Sequence, residues 1–287
     1  MIMRGKVMLR KYIKLFLNES EFIMIPKIIH LCWLSGDAFP RDIAVCLESW
    51  KQHLNDYEVW LWGKKPKDCL GLKLIEKHFD IESVVWCKQA FEAKKYAFAA
   101  DYIRLYALYN YGGIYMDSDV IVYKSFEGLL HLPYFIGEDY VHCFEPAIIG
   151  AEPHMEWINC VLDRYDGLDF INDDGRYNMR GLPVVFHDRL TTRYKFQKVE
   201  MPLRGEEFSE KIINVFPWDY FNSRDYFGVV RTKKSYCSHN YVGSWLKKGT
   251  GIKQALKCFA PRPLAKVYYK LCECFAKGNN ASTRIPF

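Results

Sequence analysis

The chain has 287 residues, of which 16% are aromatic, and its formal net charge is +6. A chain of this length buries one large core, and a single domain is the default for an α/β protein of this size. The 10 cysteines contain no Cys-x-x-Cys pair, so the sequence argues against a patterned zinc site and, without a signal peptide, predicts reduced thiols in a cytosol.

Positive charge is concentrated at the two ends of the chain. Residues 1–14 carry a net charge of +5 and residues 247–277 carry +7, which leaves −6 on the remainder. Both ends mix lysines with apolar residues, and neither is apolar enough to span a bilayer. We expect either terminal helices packed on the core or amphipathic segments lying on an anionic membrane surface. Because the basic residues form no stripe with interleaved aromatics, the sequence predicts no nucleic-acid partner.

The predicted elements alternate between strands and helices. In chain order they are a strand at 25–33, a helix at 43–54, a strand at 58–62, a helix near 70–79, a short apolar piece at 84–86, a helix at 88–111, and strands at 114–116 and 120–123. This alternation predicts one Rossmann-like, mainly parallel sheet with helices on both faces. Residues 163–180 are rich in Asp, Asn and Gly, which predicts a loop.

The strongest chemical signal follows the long predicted helix. Asp101 and Arg104 are three residues apart and share one face of that helix. A Gly-Gly pair then leads into a short strand and on to Asp117 and Asp119, which would point the same way in an extended backbone. Two close carboxylates repel each other unless a cation lies between them, and a hard divalent metal shared with substrate phosphates uses such a pair. Spacing alone also permits a surface loop with two acids and an ordinary intrahelical salt bridge.

Three separated blocks of sequence carry a resemblance to a known family. They are the block Ile-Pro-Lys-Ile-Ile-His-Leu-Cys-Trp at 25–33, the stretch at 99–119 that ends in Asp-Ser-Asp, and the block Ser-His-Asn-Tyr-Val-Gly-Ser-Trp at 238–245. In this order they resemble the DXD sugar-binding region of glycosyltransferase family 32, and they are similar to the catalytic domain of the large clostridial glucosylating toxins. The resemblance covers roughly residues 25–245, although 128–236 match only loosely.

The resemblance implies a GT-A-like α/β fold, and the charge and apolar residues of the two ends add a segment on each side of it. Residues 1–24 would form a basic amphipathic N-terminal segment, and residues 251–287 a basic amphipathic helical C-terminal segment. Between them, residues 25–250 would form the catalytic domain, which would include an insertion on the acceptor side.

The resemblance also implies roles for particular residues. Those implied to bind the donor are Trp33, Asp101, Arg104, Tyr115, Asp117, Ser244 and Trp245, and those implied to be catalytic are Asp101, Arg104, Asp117, Asp119 and Trp245. Trp33 ends the first predicted strand, where its ring would stack on the nucleobase. Asp101 and Arg104 would hold hydroxyls of the transferred sugar, although Arg104 could equally orient Asp101.

The implied cofactor is Mn²⁺ or Mg²⁺. Asp119 would be a direct ligand and Asp117 would contact the outer shell of the metal. His239 would bind the metal through a neutral ring nitrogen, and Asn240 is the alternative at this block. The Ser-Trp pair that follows would donate hydrogen bonds to the leaving diphosphate.

The implied function is that of a metal-dependent retaining glycosyltransferase. It would move a hexose-type sugar from a UDP- or GDP-sugar to a hydroxyl of a glycan or lipid-linked glycan. The implied setting is bacterial surface or capsular polysaccharide synthesis, in the cytoplasm or peripherally on the inner face of the cytoplasmic membrane. Two alternatives stay open: a glycosyltransferase that modifies a protein, and a non-catalytic protein that binds the membrane surface. A dinucleotide oxidoreductase is disfavoured because no G-x-G-x-x-G follows the first strand.

The sequence contains no isolated carboxylate with the pattern of a nucleophile, so the resemblance implies front-face attack by the acceptor. The candidates by residue type alone are Glu138, Asp139, Glu145 and Asp188. Glu145 and Pro146 stand where the family stretch usually carries an Asn before an apolar run.

Overall fold

The structure is a computed structural model that describes residues 24–204, 207–225, 228–241 and 283–287. Its centre is a six-stranded sheet with the order β3-β2-β1-β4-β7-β6. The strands are β1 Ile28–Trp33, β2 Glu58–Gly63, β3 Leu74–Lys77, β4 Gly113–Met116, β6 Tyr134–Glu138 and β7 Phe144–Ala151. Only β7 runs against the other five strands. The predicted α/β class with a mainly parallel sheet is therefore confirmed.

Helices cover both faces of this sheet. They are α1 Arg41–His53, α2 Val85–Glu92, α3 Tyr96–Tyr111, α4 Glu156–Leu162, α5 Leu182–Leu190 and the short α6 Trp218–Phe221. Successive side chains of a strand point to opposite faces, and β4 shows the result. Ile114 and Met116 are buried in the core that includes α1, whereas Tyr115 is buried in the core that includes α3. Because both faces are covered, the central strand is apolar throughout rather than alternating.

Within the described ranges, three two-stranded pairs lie outside the central sheet. β5 Val120–Val122 pairs antiparallel with β12 Cys237–His239, β8 Lys195–Lys198 pairs parallel with β9 Ile212–Val215, and β10 Arg224–Asp225 pairs antiparallel with β11 Gly228–Val229. The predicted strand at 120–123 therefore exists, but it belongs to a separate ribbon. Among the described residues, no helix has both the length and the apolar character that crossing a bilayer requires.

The predicted single helix at 88–111 is wrong, because two helices occupy this stretch. α2 ends at Glu92, and α3 begins at Tyr96. Between them Lys94 adopts a left-handed backbone with φ 55°. Neither glycine nor proline marks this break, so apolar spacing alone could not reveal it.

The predicted helix near 70–79 is also wrong, because β3 lies there and pairs in parallel with β2. Leu70 and Gly71 both have left-handed backbones, with φ values of 54° and 75°. Two consecutive residues in this region cannot belong to a right-handed helix. The chain therefore turns before β3 and adds an edge strand to the sheet.

Two glycines turn the chain from α3 into β4. Gly112 and Gly113 have φ values of 64° and 98°, and a Cβ atom on Gly113 would lie 2.8 Å from the backbone oxygen of Ile28. The buried ring of His30 supports this turn. Its Nδ1 accepts the indole N–H of Trp62 at 3.0 Å, and its Nε2 therefore donates to the Gly112 carbonyl oxygen at 2.6 Å. Both ring nitrogens of a neutral imidazole are thus used to place the start of β4.

Replacing His30 with glutamine is expected to remove a pH-dependent part of the stability. Burial lowers the pKa of His30 to about 4 from its usual 6.5. Between these two values the folded chain binds fewer protons than the unfolded chain, so stability is present above pH 6.5 and is lost as the pH falls toward 4. In urea unfolding, the free energy of unfolding of the wild type should fall by about 3 kcal/mol more than that of His30→Gln as the pH is lowered from 6.5 to 4. Parallel pH profiles for the two proteins would contradict this assignment.

Candidate functional site

The candidate residues from the first half of the chain lie near the carboxyl edge of the parallel strands. β1 ends at Trp33, and β4 ends at Met116 directly before Asp117. Open α/β sheets hold their ligands at this edge. The Trp33 indole N–H donates to the backbone oxygen of Asp37 at 2.8 Å, and its ring centroid lies 4.8 Å from that of Phe39. Trp33 thus ends β1 as predicted, and its contact with a nucleobase stays a prediction.

One buried arginine holds two carboxylates. Nη2 of Arg104 lies 2.9 Å from Oδ1 of Asp101 and 3.3 Å from Oδ1 of Asp117. Nη1 of Arg104 donates to the Pro146 carbonyl oxygen at 2.9 Å. The Tyr115 hydroxyl donates to the same Asp117 oxygen at 2.8 Å, and the Tyr115 ring centroid lies 4.5 Å from the guanidinium carbon. Arg104 therefore orients both acids. We call Asp101, Arg104, Tyr115 and Asp117 the arginine cluster.

When both acids of this cluster are ionised, it carries two negative charges and only one positive charge. Burial raises the pKa of Asp101 to about 7, a shift that the Arg104 charge opposes and the Asp117 charge reinforces. Burial also raises the pKa of Asp117. Two carboxylates share one buried guanidinium, so an additional cation next to Asp117 would favour their ionised forms.

Asp117 and Asp119 lie in a turn, whereas the sequence predicted an extended segment. The Val120 N–H donates to the Asp117 carbonyl oxygen at 3.1 Å, and the Asp117 N–H donates to the Ala147 carbonyl oxygen at 2.9 Å. The turn directs Asp117 toward Arg104 and Asp119 toward His239 of the β5–β12 ribbon, and it still leaves one carboxylate oxygen of each within 4.8 Å of the other. We call residues 117–119 the DXD turn.

The β5–β12 ribbon carries a histidine to the DXD turn. His239 is paired in register with Val120, and the Asn240 N–H donates to the Asp119 carbonyl oxygen at 3.0 Å. Nε2 of His239 lies 3.3 Å from Oδ1 of Asp119. One candidate ligand atom from each of Asp117, Asp119 and His239 lies within 4.8 Å of the others. Two carboxylates and one imidazole are donors that suit Mn²⁺, so these residues fit a divalent cation.

The alternative metal ligand, Asn240, makes other contacts. Its Oδ1 accepts from Nη1 of Arg224 at 3.2 Å, and its Nδ2 lies 3.2 Å from Sγ of Cys46. The geometry therefore favours His239 over Asn240 as the third ligand. Outside the described residues lie Ser244, Trp245 and almost all of the two predicted terminal segments, 1–24 and 251–287.

A buried glutamate, which the sequence offered only as a nucleophile candidate by residue type, contacts the same histidine. Oε1 of Glu145 lies 3.3 Å from Nδ1 of His239. Its Oε2 accepts from the Tyr241 hydroxyl at 2.6 Å and from Nδ2 of Asn222 at 2.8 Å. Burial opposes protonation of His239, but Glu145 and Asp119 together raise the pKa of this ring well above its usual value. The one sequence signal at this position was the Glu-Pro pair in place of the usual Asn.

The other acids that were nucleophile candidates by residue type have structural partners. These are His142 and Lys198 for Glu138, the backbone N–H groups of Val141 and Cys143 for Asp139, and Arg180 for Asp188. Each of these carboxylates is committed to a contact outside the DXD turn and the arginine cluster.

Comparison with known proteins identifies the region that contains the DXD turn. Residues 40–136 match the family model described as "Glycosyltransferase sugar-binding region containing DXD motif". This range includes Asp101, Arg104, Asp117 and Asp119, so the chain carries such a region and the predicted resemblance is confirmed there. The first and last blocks of the resemblance lie outside the matched range.

Relatives and a solved structure show similarity over parts of the chain. The chain is 29% identical over 124 residues to Inositol phosphoceramide mannosyltransferase 3 of Schizosaccharomyces pombe, and 25% identical over 144 residues to Inositol phosphoceramide mannosyltransferase 2 of the same organism. These similarities cover 43% and 50% of this chain but only 32% and 39% of the relatives. Among solved structures, the PaToxG Glycosyltransferase is 22% identical with a TM-score of 0.45, covering 67% of this chain and 80% of that one.

Proposed function

We propose that this chain is a metal-dependent retaining glycosyltransferase, which transfers a hexose-type sugar from a UDP- or GDP-sugar to a hydroxyl group of a glycan or lipid-linked glycan. The observation that carries the proposal is the convergence of Asp117, Asp119 and His239 beside the arginine cluster. The match of residues 40–136 to a sugar-binding region supports it. The names of the two yeast relatives support a mannose-like hexose as the transferred sugar.

The metal site would be formed by Asp119 and His239, with Asp117 at its edge. Mn²⁺ or Mg²⁺ bound there would supply positive charge to the diphosphate group as the donor bond breaks. The excess negative charge of the two acids around Arg104 supports a cation at this place. Asp117 contacts both groups, because it belongs to the ligand cluster and to the arginine cluster.

The remaining donor contacts would come from the carboxyl edge of the sheet. Trp33 would stack on the nucleobase, a contact of about 1–3 kcal/mol in other base-stacking sites. Asp101 would accept hydrogen bonds from sugar hydroxyls, which are stronger when the acceptor is ionised. Arg104 would orient that carboxylate and oppose the rise in its pKa that burial causes.

The proposed reaction requires no protein nucleophile. The acceptor hydroxyl oxygen would bond to the anomeric carbon on the face from which the phosphate oxygen departs, as the carbon–oxygen bond to the phosphate breaks. The hydroxyl proton would pass to the departing phosphate oxygen. The structural partners of Glu138, Asp139 and Asp188 support this route, since they commit those carboxylates elsewhere.

The proposed setting is assembly of a bacterial surface polysaccharide at the cytoplasmic face of the membrane. The resemblance supports the pathway, and the positive charge of residues 1–14 and 247–277 supports contact with an anionic surface. Flotation with anionic vesicles at low and high salt would test that contact.

Thermal unfolding with nucleotide sugars tests the proposed function directly. At about 100 times its dissociation constant, a UDP- or GDP-sugar with Mn²⁺ should raise Tm by about 5 °C, because it binds the folded state alone. Asp119→Ala should abolish the rise. Glu76→Ala, which removes an exposed acid on the edge strand β3, should preserve it. An equal rise in wild-type protein without metal would contradict the proposal.

A further inference from the structure

The two ring nitrogens of His239 face two different carboxylates. Nε2 lies 3.3 Å from Asp119, on the side of the DXD turn, and Nδ1 lies 3.3 Å from Glu145 on the other side. Nδ1 is buried and has no aligned hydrogen-bond partner in the described part of the chain. A proton on this atom therefore depends on the charge of Glu145 for its stabilisation.

We propose that Glu145 is a positioning residue for the metal ligand His239. Its carboxylate keeps a proton on Nδ1, so that the lone pair of Nε2 is directed toward a cation held with Asp119. The inference rests on the proposed function, since it requires a divalent cation at the DXD turn. A carboxylate behind a metal-binding histidine fixes the tautomer and the ring orientation and makes the histidine a stronger ligand.

Glu145 is itself held in place by hydrogen bonds to both of its carboxylate oxygens. Its oxygens accept from the Tyr241 hydroxyl, from Nδ2 of Asn222 and from the Ala147 N–H at 2.6, 2.8 and 3.1 Å. The ring of Tyr241 also packs on His239 with a centroid distance of 4.0 Å. The carboxylate is therefore a fixed negative charge on the side of the ring away from Asp119.

The segment that contains Glu145 also supports the arginine cluster. In the pairing of β6 with β7, Ile136 lies opposite Ile149, but the next residue, Gly137, lies opposite Glu145. Residues 146–148 therefore have no partner in β6. Within this bulge the Pro146 carbonyl accepts from Arg104, and the Ala147 carbonyl accepts from the Asp117 N–H. Bulges of this kind redirect a strand near a functional site. One short segment thus positions the metal side and the sugar side of the site together.

The test is a titration of the full chain with Mn²⁺ alone, followed by the loss of the free-ion EPR signal. Glu145→Gln keeps the size of the side chain and removes its charge, so Mn²⁺ binding should weaken by about 10- to 100-fold. Glu138→Gln is a matched control, because Glu138 is equally buried and pairs with a different histidine, His142. The control should bind Mn²⁺ as the wild type does, whatever its thermal stability.

A double-mutant cycle shows whether Glu145 acts through His239. In a His239→Ala background, adding Glu145→Gln should weaken Mn²⁺ binding no further, because the residue through which it acts is gone. If Glu145→Gln does not fold, Tyr241→Phe removes one hydrogen bond to the same carboxylate and should weaken Mn²⁺ binding several-fold.

The outcomes separate this inference from the proposed function. Wild-type protein that binds no Mn²⁺, or Asp119→Ala that binds it normally, overturns the metal site itself. Mn²⁺ binding that is lost in Asp119→Ala but unchanged in Glu145→Gln overturns the positioning role alone. Equal losses in Glu145→Gln and Glu138→Gln, or additive losses in the cycle with His239→Ala, also overturn it.

Discussion

A lysine in place of Arg104 is expected to lower kcat/KM for donor hydrolysis by at least about 100-fold and the free energy of unfolding by about 3 kcal/mol. The guanidinium contacts Asp101, Asp117 and the Pro146 carbonyl at the same time. A single ammonium group cannot reproduce this planar arrangement, so one buried carboxylate would lose its partner. Initial rates with Mn²⁺ and a nucleotide sugar, together with urea unfolding, measure the two effects.

Arg189→Lys provides the control for this substitution. Arg189 is a partly buried arginine that donates from Nε to the Cys160 carbonyl oxygen at 3.0 Å, in α5 and away from the DXD turn. Its replacement should cost stability and leave donor hydrolysis unchanged. Full activity in Arg104→Lys would show that the arginine cluster has no part in donor binding.

The neutral variant Asp117→Asn is expected to reduce kcat/KM by about 1,000-fold, because it removes charge from both the metal cluster and the arginine cluster. Its stability at neutral pH should not fall. The pKa of Asp117 is raised in the folded chain, so the ionised carboxylate disfavours folding, and an amide oxygen can still accept from Tyr115 and Arg104. Donor hydrolysis and thermal unfolding of the same preparation measure both results.

Tyr115→Phe separates the hydrogen bond from the charge. It removes only the hydroxyl that donates to Asp117, so it should reduce kcat/KM by about 10-fold, consistent with a hydrogen bond to a charged group. Losses of the same size in Asp117→Asn and Tyr115→Phe would indicate that orientation, and not charge, is what Asp117 supplies.

The sequence predicted those elements of the fold that depend on the spacing of apolar residues and on the backbone conformation of glycine. Strand and helix spacing located β1, α1, β2 and β4, and the Gly-Gly pair marked the end of α3, because glycine is needed for the left-handed backbone there. Where a residue other than glycine takes that conformation, as at Lys94 and Leu70, the same signals missed the break.

The arrangement of the site depends on contacts that no local pattern encodes. His239 reaches Asp119 because β12 pairs with β5, strands that are separated by more than 100 residues of sequence. The DXD motif was visible as two acids, but the turn that the Val120 N–H closes on the Asp117 carbonyl was not. Glu145 was one acid among several, since only the folded chain places it beside the histidine.

The β5–β12 ribbon joins two parts of the site, the DXD turn and His239, that are separated by more than 100 residues of the chain. Holding the two ends of such a long stretch together has an entropic cost that a shared ion can offset, in the way that a cross-link offsets loop closure. A cation bound between the DXD turn and His239 would therefore offset part of this cost. Removing the ion would then destabilise the pairing of β12 with β5.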